Sequence, residues 1–296
     1  MTIFKGLEEI VQRDYPLGST TSFGVGGNVD YFIRPRTEDE LRRVLAACDE
    51  HRIPVRAMGR GSNLLVRDEG VPGAVVQLDE KGDFGRIEME DDLLRAGAAA
   101  PLPGVIKAAA RAGRSGVECL VGIPGSIGGG VRMNAGGAHG DIGQTVERVR
   151  VMDSRGQVFD RERDDLAFGY RTSNLSAKFI LEVDLRLIPD SLKAINDRMK
   201  RIWIAKKNTQ PMNAASAGCI FKNPQRLAAG LLIDQAGLKG LAVGGVRVSR
   251  KHANYIVRRA KQEARAADVL ELIEKVRAAV KERFDVSLEL EIEVWP

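Results

Sequence analysis

The sequence predicts an α+β chain in two parts, and three observations carry that expectation. Short β-rich pieces alternate with helical pieces through roughly the first 190 residues. Pro189 then marks a boundary, beyond which the helix and strand signals suit a separate, smaller α/β domain. Two long glycine-rich loops, residues 58–66 and 122–140, punctuate the first part.

In chain order, residues 37–53 (TEDELRRVLAACDEHRI) read as a helix. Thr37 caps it, Glu40 completes a capping box, and Leu41, Val44 and Leu45 form its apolar stripe. PVRAM follows as a short strand running into GRGSNLLV, and GAVVQL, RIEME and LLRAG supply further strands. LPGVIKAAARAG is a helix stopped at Gly113. VERVRVMDSRGQVF reads as a hairpin around residues 154–156. FILEVDLRLIP alternates, with Leu181, Val183, Leu185 and Leu187 on one face and Glu182, Asp184 and Arg186 on the other, as a half-buried strand would. After Pro189 come the helices DSLKAINDRMKRIWIAKKN and AAGLLIDQAG, then ANYIV as a strand. DVLELIEKVRAAVKERF is the clearest helix, capped by Asp268, with Leu270, Ile273, Val276, Val280 and Phe284 at helical spacing. VSLELEIEVW ends the chain as a strand. Val286, Leu288, Leu290, Ile292 and Val294 share one face, and Glu289, Glu291 and Glu293 share the other.

Composition narrows the function classes. Of 296 residues, 44% are hydrophobic, enough for real cores and against disorder. The net charge of +5 is spread among interleaved acids and bases, and aromatics are only 5%. Nucleic-acid binding calls for a concentrated basic face or stacking aromatics, so none is expected, and an anionic small substrate accounts for the charge. Cys48, Cys119 and Cys219 are odd in number, widely spaced and free of any CxxC pair. Neither a disulfide framework nor a metal site is expected, and a reducing cytoplasm is. The charged N-terminus is no signal peptide, and no uncharged apolar run approaches the ~18 residues of a membrane span.

The glycine loops carry the chemistry. In residues 58–66, Gly59 and Gly61 let the backbone double back, so that successive N–H groups converge on an oxyanion, with Ser62 and Asn63 adding side-chain donors. Residues 122–140 repeat this on a larger scale. Pro124 stiffens a turn, and the run Gly128, Gly129, Gly130 removes side chains where something flat or bulky approaches. Neither loop has the Gly-Lys-Ser/Thr of a P-loop, and Leu64 stands where GxGxxG needs its third glycine. Spacing alone therefore indicates a phosphate-rich cofactor held by neither of those folds.

In order along the chain, TSFGVGG, MGRGSNLLV, GVECLVGIPGSIGGGVRMNAGGAHG, FGYRTS, SAGCIFKNP, DQAGLKG, VSRKHANYIV and LELEIEVW resemble the UDP-N-acetylenolpyruvoylglucosamine reductase family, over nearly the whole chain. The resemblance implies an FAD-binding fold of the vanillyl-alcohol-oxidase (PCMH) class in two subdomains over residues 21–189, after an N-terminal segment 1–20, with a C-terminal α/β substrate domain over 190–296. It also implies non-covalent FAD, NADPH as reductant, a UDP-linked enolpyruvyl sugar as substrate, and a cytoplasmic monomer serving peptidoglycan precursor synthesis. Gly59, Arg60, Gly61, Ser62, Asn63 and Leu64 of the first loop, with Gly122, Pro124, Gly125, Ser126, Gly128, Gly129, Asn134, Ala135 and Gly136 of the second, are the implied cofactor contacts.

The family's reaction adds hydride and a proton across a carbon–carbon double bond beside a carboxylate. Arg171 of FGYRTS is then the cation that grips that carboxylate, with Tyr170 beside it. Glu291 is the member of the terminal carboxylate row that the resemblance selects to assist proton transfer. Cys219 stands where the family usually has a serine acting as the acid. A thiol, with an ordinary pKa of about 8.5, is a far stronger acid than an alcohol, and Lys222 close in sequence is placed to lower it further. Asn223, Lys206, Arg247 and His252 are expected to meet the sugar or diphosphate, whereas His51 and His139 read as structural. Arg258 stands where the family continues with asparagine. Between Arg171 and Cys219 there is no tyrosine-bearing insertion, which matches the family's shorter form. The competing readings are another flavoprotein of the same class acting on a sugar or alcohol, a nucleotide-binding module without catalysis, and a basic RNA-binding protein. GRGSNLLV holds no histidine for covalent flavin attachment.

Overall fold

The computed structural model describes residues 3–224 and 227–296. The chain forms two compact units that are interleaved in sequence. One comprises residues 1–13, 31–60 and 73–205; the other comprises 14–30, 61–72 and 206–296.

The first unit contains two larger sheets. Val55–Ala57 pairs in parallel with Val71–Val76, within a four-stranded sheet ordered Val11–Tyr15, Val29–Ile33, Val71–Val76, Val55–Ala57. Against it lies the helix Glu38–Glu50, whose Leu41, Val44, Leu45 and Cys48 share a core with Ile33, Ala74 and Val76. The Thr37 hydroxyl accepts from Glu40 N–H at 3.2 Å, as the sequence indicates. The Glu40 carboxylate, however, accepts from Arg36 N–H at 2.6 Å, one residue before the usual capping-box partner. Burial pushes the Cys48 thiol up to about 11, so it stays protonated and inert.

The second sheet is antiparallel, ordered Val158–Glu162, Val146–Met152, Phe179–Arg186, Leu93–Gly97, Ile87–Glu90. The helix Leu102–Arg111 packs Val105, Ile106 and Ala109 against its Leu94, Ala96, Val149 and Val183. Gly113, with φ +63°, follows the helix. The central strand corrects the expectation of simple alternation. Arg150 faces Glu182 and Val151 faces Ile180, so Leu181 is an extra residue in the ladder. That bulge sends Leu181 with Phe179 into the first core, and Ile180, Val183 and Leu185 into the second. The polar face is covered too. Asp184 is buried and held at 3.0 Å by both Arg95 and Arg148. The strand is central to its sheet, not half-solvated.

The helix Leu192–Thr209 buries only Ile195 and Ile202. Its Arg198 reaches the buried Glu118 at 2.8 Å and Asp190 at 2.6 Å.

The second unit centres on the helix Ala266–Phe284, with Val269, Leu272, Ile273, Val276 and Val280 in one core with Phe23, Leu65, Ile220, Phe221, Ile233, Val248 and Ile292. Leu270 and Phe284 sit at the rim of this core. Asp268 is not the cap residue but lies three positions beyond Arg265, accepting from Arg265 N–H at 3.1 Å and Gly245 N–H at 3.0 Å. A small antiparallel sheet joins Ala242–Val243, Val246–Val248 and Ile256–Arg258. The terminal segment is a strand only over Glu293–Trp295, which pairs in parallel with Leu64–Val66. Residues 288–292 keep the expected alternation without a continuous ladder: Leu288 and Ile292 are buried, Glu289 exposed and Glu291 partly exposed.

Candidate functional site

In the first unit the two glycine loops touch. A β-carbon built on Gly59 would stand 3.2 Å from Ser126 Oγ, which itself accepts from Gly129 N–H at 3.5 Å. Gly59, Pro124 and Gly129 are exposed, whereas Gly128 is buried, its missing β-carbon allowing Ala98 to pack. Of the glycine run, Gly129 alone is free for a ligand to approach, and Gly128 serves the helix Ile127–Arg132 against its neighbours. Arg60 spends its guanidinium on Glu80. The Gly59 carbonyl accepts from Gln77 Nε2 at 2.5 Å. Met58 N–H donates to Val76 O at 2.9 Å, and Gly59 and Gly61 leave the loop's backbone bare of side chains, of the kind that fits a diphosphate. Gly122, Gly125, Ala135 and Gly136 continue the second loop, where Gly136 is paired with Asp141.

Gly61, Ser62, Asn63 and Leu64 belong to the second unit. Gly61 O accepts from Ser22 N–H at 3.1 Å. Asn63 is committed to the terminal segment: its Nδ2 donates to Glu291 O at 3.0 Å, and its carbonyl accepts from Glu293 N–H at 2.9 Å.

Arg171 lies in the first unit, at the tip of a two-residue loop. Phe168 faces Ser173 and Gly169 faces Thr172, so Tyr170 and Arg171 form the turn. Arg171 takes φ +57°, a left-handed conformation that an arginine adopts at a cost of order 1 kcal/mol. Its guanidinium carbon sits 5.1 Å from the centre of the half-exposed Tyr170 ring.

Cys219 and Glu291 lie in the second unit, on neighbouring segments. Residues 219–222 run between two others. Cys219 bridges to Tyr255, Ile220 N–H donates to Asn254 O at 2.9 Å, Glu291 N–H donates to Ile220 O at 2.8 Å, and Lys222 N–H donates to Glu289 O at 2.9 Å. Cys219 is partly exposed while Ile220 and Phe221 are buried. Gly218 before it has φ +83° and open space where a β-carbon would stand. Lys222 Nζ lies 3.7 Å from the exposed Glu289 carboxylate, an exchange of charge at the surface. Glu293 is also exposed, which leaves Glu291 the most sheltered of the three.

Of the softer candidates, Asn223 Oδ1 accepts from Ala229 N–H at 3.1 Å, at the start of the helix Ala229–Gln235. Arg247 is exposed on the strand Val246–Val248. Lys206 lies in the last turn of the helix Leu192–Thr209. His252 is held neutral, since burial and then the charge of Lys239 push its pKa below the ordinary value, and its Nδ1 accepts from Asn254 N–H at 3.3 Å.

Sequence reasoning missed Asn254. Its carboxamide pairs with both backbone groups of Phe221, accepting from N–H at 3.0 Å and donating to O at 2.8 Å, just two residues after Cys219. The available signal was an asparagine inside an otherwise strand-like run. Among the described residues no helix is long and apolar enough to cross a membrane.

Comparison with known proteins gives the family. Residues 29–161 match the family model described as FAD binding domain, and residues 210–295 match UDP-N-acetylenolpyruvoylglucosamine reductase, C-terminal domain. The chain is 40% identical to the UDP-N-acetylenolpyruvoylglucosamine reductase of Moorella thermoacetica over 98% of this chain and 95% of that one. It is 39% identical to a second such protein from Symbiobacterium thermophilum, over 96% and 92%. The crystal structure of UDP-N-acetylenolpyruvylglucosamine reductase from Thermus caldophilus superposes with a TM-score of 0.84 at 41% identity, covering 97% of this chain and 99% of that one. An FAD-binding domain joined to this C-terminal domain makes the protein an FAD-dependent oxidoreductase. The chain belongs to the UDP-N-acetylenolpyruvoylglucosamine reductase family.

Proposed function

We propose that this protein reduces UDP-N-acetylglucosamine enolpyruvate to UDP-N-acetylmuramate with NADPH, in the cytoplasm, as a step of peptidoglycan precursor synthesis. The observation that carries the proposal is the seating of a partly exposed thiol, Cys219, beside the sheltered Glu291 in the domain that matches the family's C-terminal model. When bound, FAD supplies the relay for a hydride between NADPH and the enolpyruvyl double bond. The paired glycine loops hold its diphosphate with backbone N–H groups, in the part of the chain that corresponds to residues 21–189. The Arg171 guanidinium binds the substrate carboxylate and offsets the charge that builds on it. The Cys219 thiol delivers its proton to the substrate carbon and recovers one from solvent. Glu291 orients this exchange. Arg247 and Lys206 offer cations to the UDP diphosphate, Tyr170 and Asn223 offer hydrogen bonds, and His252, being neutral, offers a donor rather than a charge. Residues 190–296 form the substrate domain of a monomer.

Stopped-flow absorbance of the flavin near 450 nm, read in both half-reactions, tests this. Cys219→Ala keeps bleaching by NADPH and loses reoxidation by the enolpyruvyl substrate about 100- to 10,000-fold, whereas Cys219→Ser keeps substantial turnover. Normal reoxidation in the alanine variant would remove Cys219 from the mechanism.

A further inference from the structure

We infer that Asn134 is a positioning residue for Arg171, buckling the Tyr170–Arg171 turn to the second glycine loop with a carboxamide that is spent on the protein itself. The inference rests on the reading of Arg171 given above. Asn134 is 4% exposed and takes φ +44°. Its Nδ2 donates to Gly169 O at 2.9 Å, and its Oδ1 accepts from Gly143 N–H at 3.0 Å. Gly169 is the residue before Tyr170, and it is already paired with Thr172 on the far side of the turn. Holding that carbonyl therefore fixes the near end of a two-residue loop whose far end the hairpin fixes.

Two further ties join the same pair of segments. Ser173 Oγ donates to Arg132 O at 2.9 Å. The Arg132 guanidinium donates to Leu175 O and, at 2.6 Å, to Ala177 O. Two residues of the loop's helix end, Arg132 and Asn134, are thus laced to the hairpin that presents Arg171 and to the residues just after it, on both sides of the arginine. A side chain so placed transmits the position of the glycine loop to the turn that carries the guanidinium. The sequence motif MNAGG and the motif FGYRTS are, on this view, two halves of one device.

Asn134→Gly tests it in the flavin-loaded protein, since glycine keeps the left-handed backbone while removing both side-chain bonds. In protein reloaded with FAD, reoxidation by the UDP-enolpyruvyl sugar is expected to slow about 30- to 100-fold, about tenfold more than bleaching by NADPH does. In an Arg171→Ala background the same change is expected to add less than about twofold, because residues that act through one another are not additive. Ser173→Ala, which removes one tie at the rim, is expected to show the same split at about three- to tenfold, and it serves if the first variant does not fold. Loss of flavin with both half-reactions falling together would overturn the inference, as would a double variant whose loss is the product of the single losses. An Arg171→Ala protein that reoxidises at the unmodified rate would overturn the functional reading itself, and this inference with it.

Discussion

Asn254 shows how one side chain does the work of a strand. Its carboxamide offers an acceptor and a donor at the spacing of a peptide unit, and Phe221 pairs with both. Both residues are buried, so removing the carboxamide strands two backbone groups away from water. Asn254→Ala should therefore lower the unfolding free energy by about 2–3 kcal/mol, and it should speed alkylation of Cys219 by loosening the segment that carries it. Urea unfolding and the rate of iodoacetamide labelling check the two halves, and a variant that unfolds and labels like the unmodified protein would remove Asn254 from this role. An asparagine inside a strand-like run is all the sequence offers, and it does not name the partner, which lies 33 positions away. Cys219 and Glu291, by contrast, are singled out by their motifs, and the structure sets the two segments side by side. Asn134 is expected from the sequence at the cofactor, and its carboxamide pairs with protein backbone.

At the scale of elements, helix starts show what pattern reading captures. Thr37 and its helix were foreseen almost to the residue, because a capping hydroxyl acts on its own local backbone. The helix Ala266–Phe284 was foreseen from its apolar spacing, but not the way its first turn is held. Asp68 accepts from Ala266 N–H and Ala267 N–H, both at 2.9 Å, across nearly 200 residues of chain. A carboxylate there also suits the positive end of the helix dipole. Asp68→Ala should cost about 1–2 kcal/mol of stability, and Asp68→Asn less, measured by thermal unfolding. An alanine variant with unchanged melting would show that water replaces the carboxylate freely. The bulge at Leu181 was invisible for a related reason: a period of two records faces but not register. Asp184 likewise reads as a solvent-facing acid until Arg95 and Arg148 are seen to cover it.

Across the whole molecule, Glu118 gives a pH signature. Burial raises its pKa, but the Gly116 N–H and the Arg198 guanidinium outweigh that and hold it below the ordinary value of 4.5. A carboxyl with a depressed folded pKa contributes stability above its unfolded value and loses it as pH falls through the folded one. As pH falls below about 4.5, the melting temperature should thus drop more steeply in the unmodified protein than in Glu118→Gln, the gap closing on acidification. Parallel melting curves over that range would rule out this contribution. The pair also anchors the helix Leu192–Thr209 beside the turn that opens the second glycine loop.

The parallel pairing of Glu293–Trp295 with Leu64–Val66 has a consequence for biosynthesis. Leu64–Val66 waits for a neighbour made roughly 230 residues later, so this part of the unit cannot assemble until residues 293–295 have been made. Meanwhile Leu64, Leu65 and Val66, all apolar, are a template for the wrong partner, and trimming only the final four residues should leave a chain that clumps during expression instead of one that is merely slow.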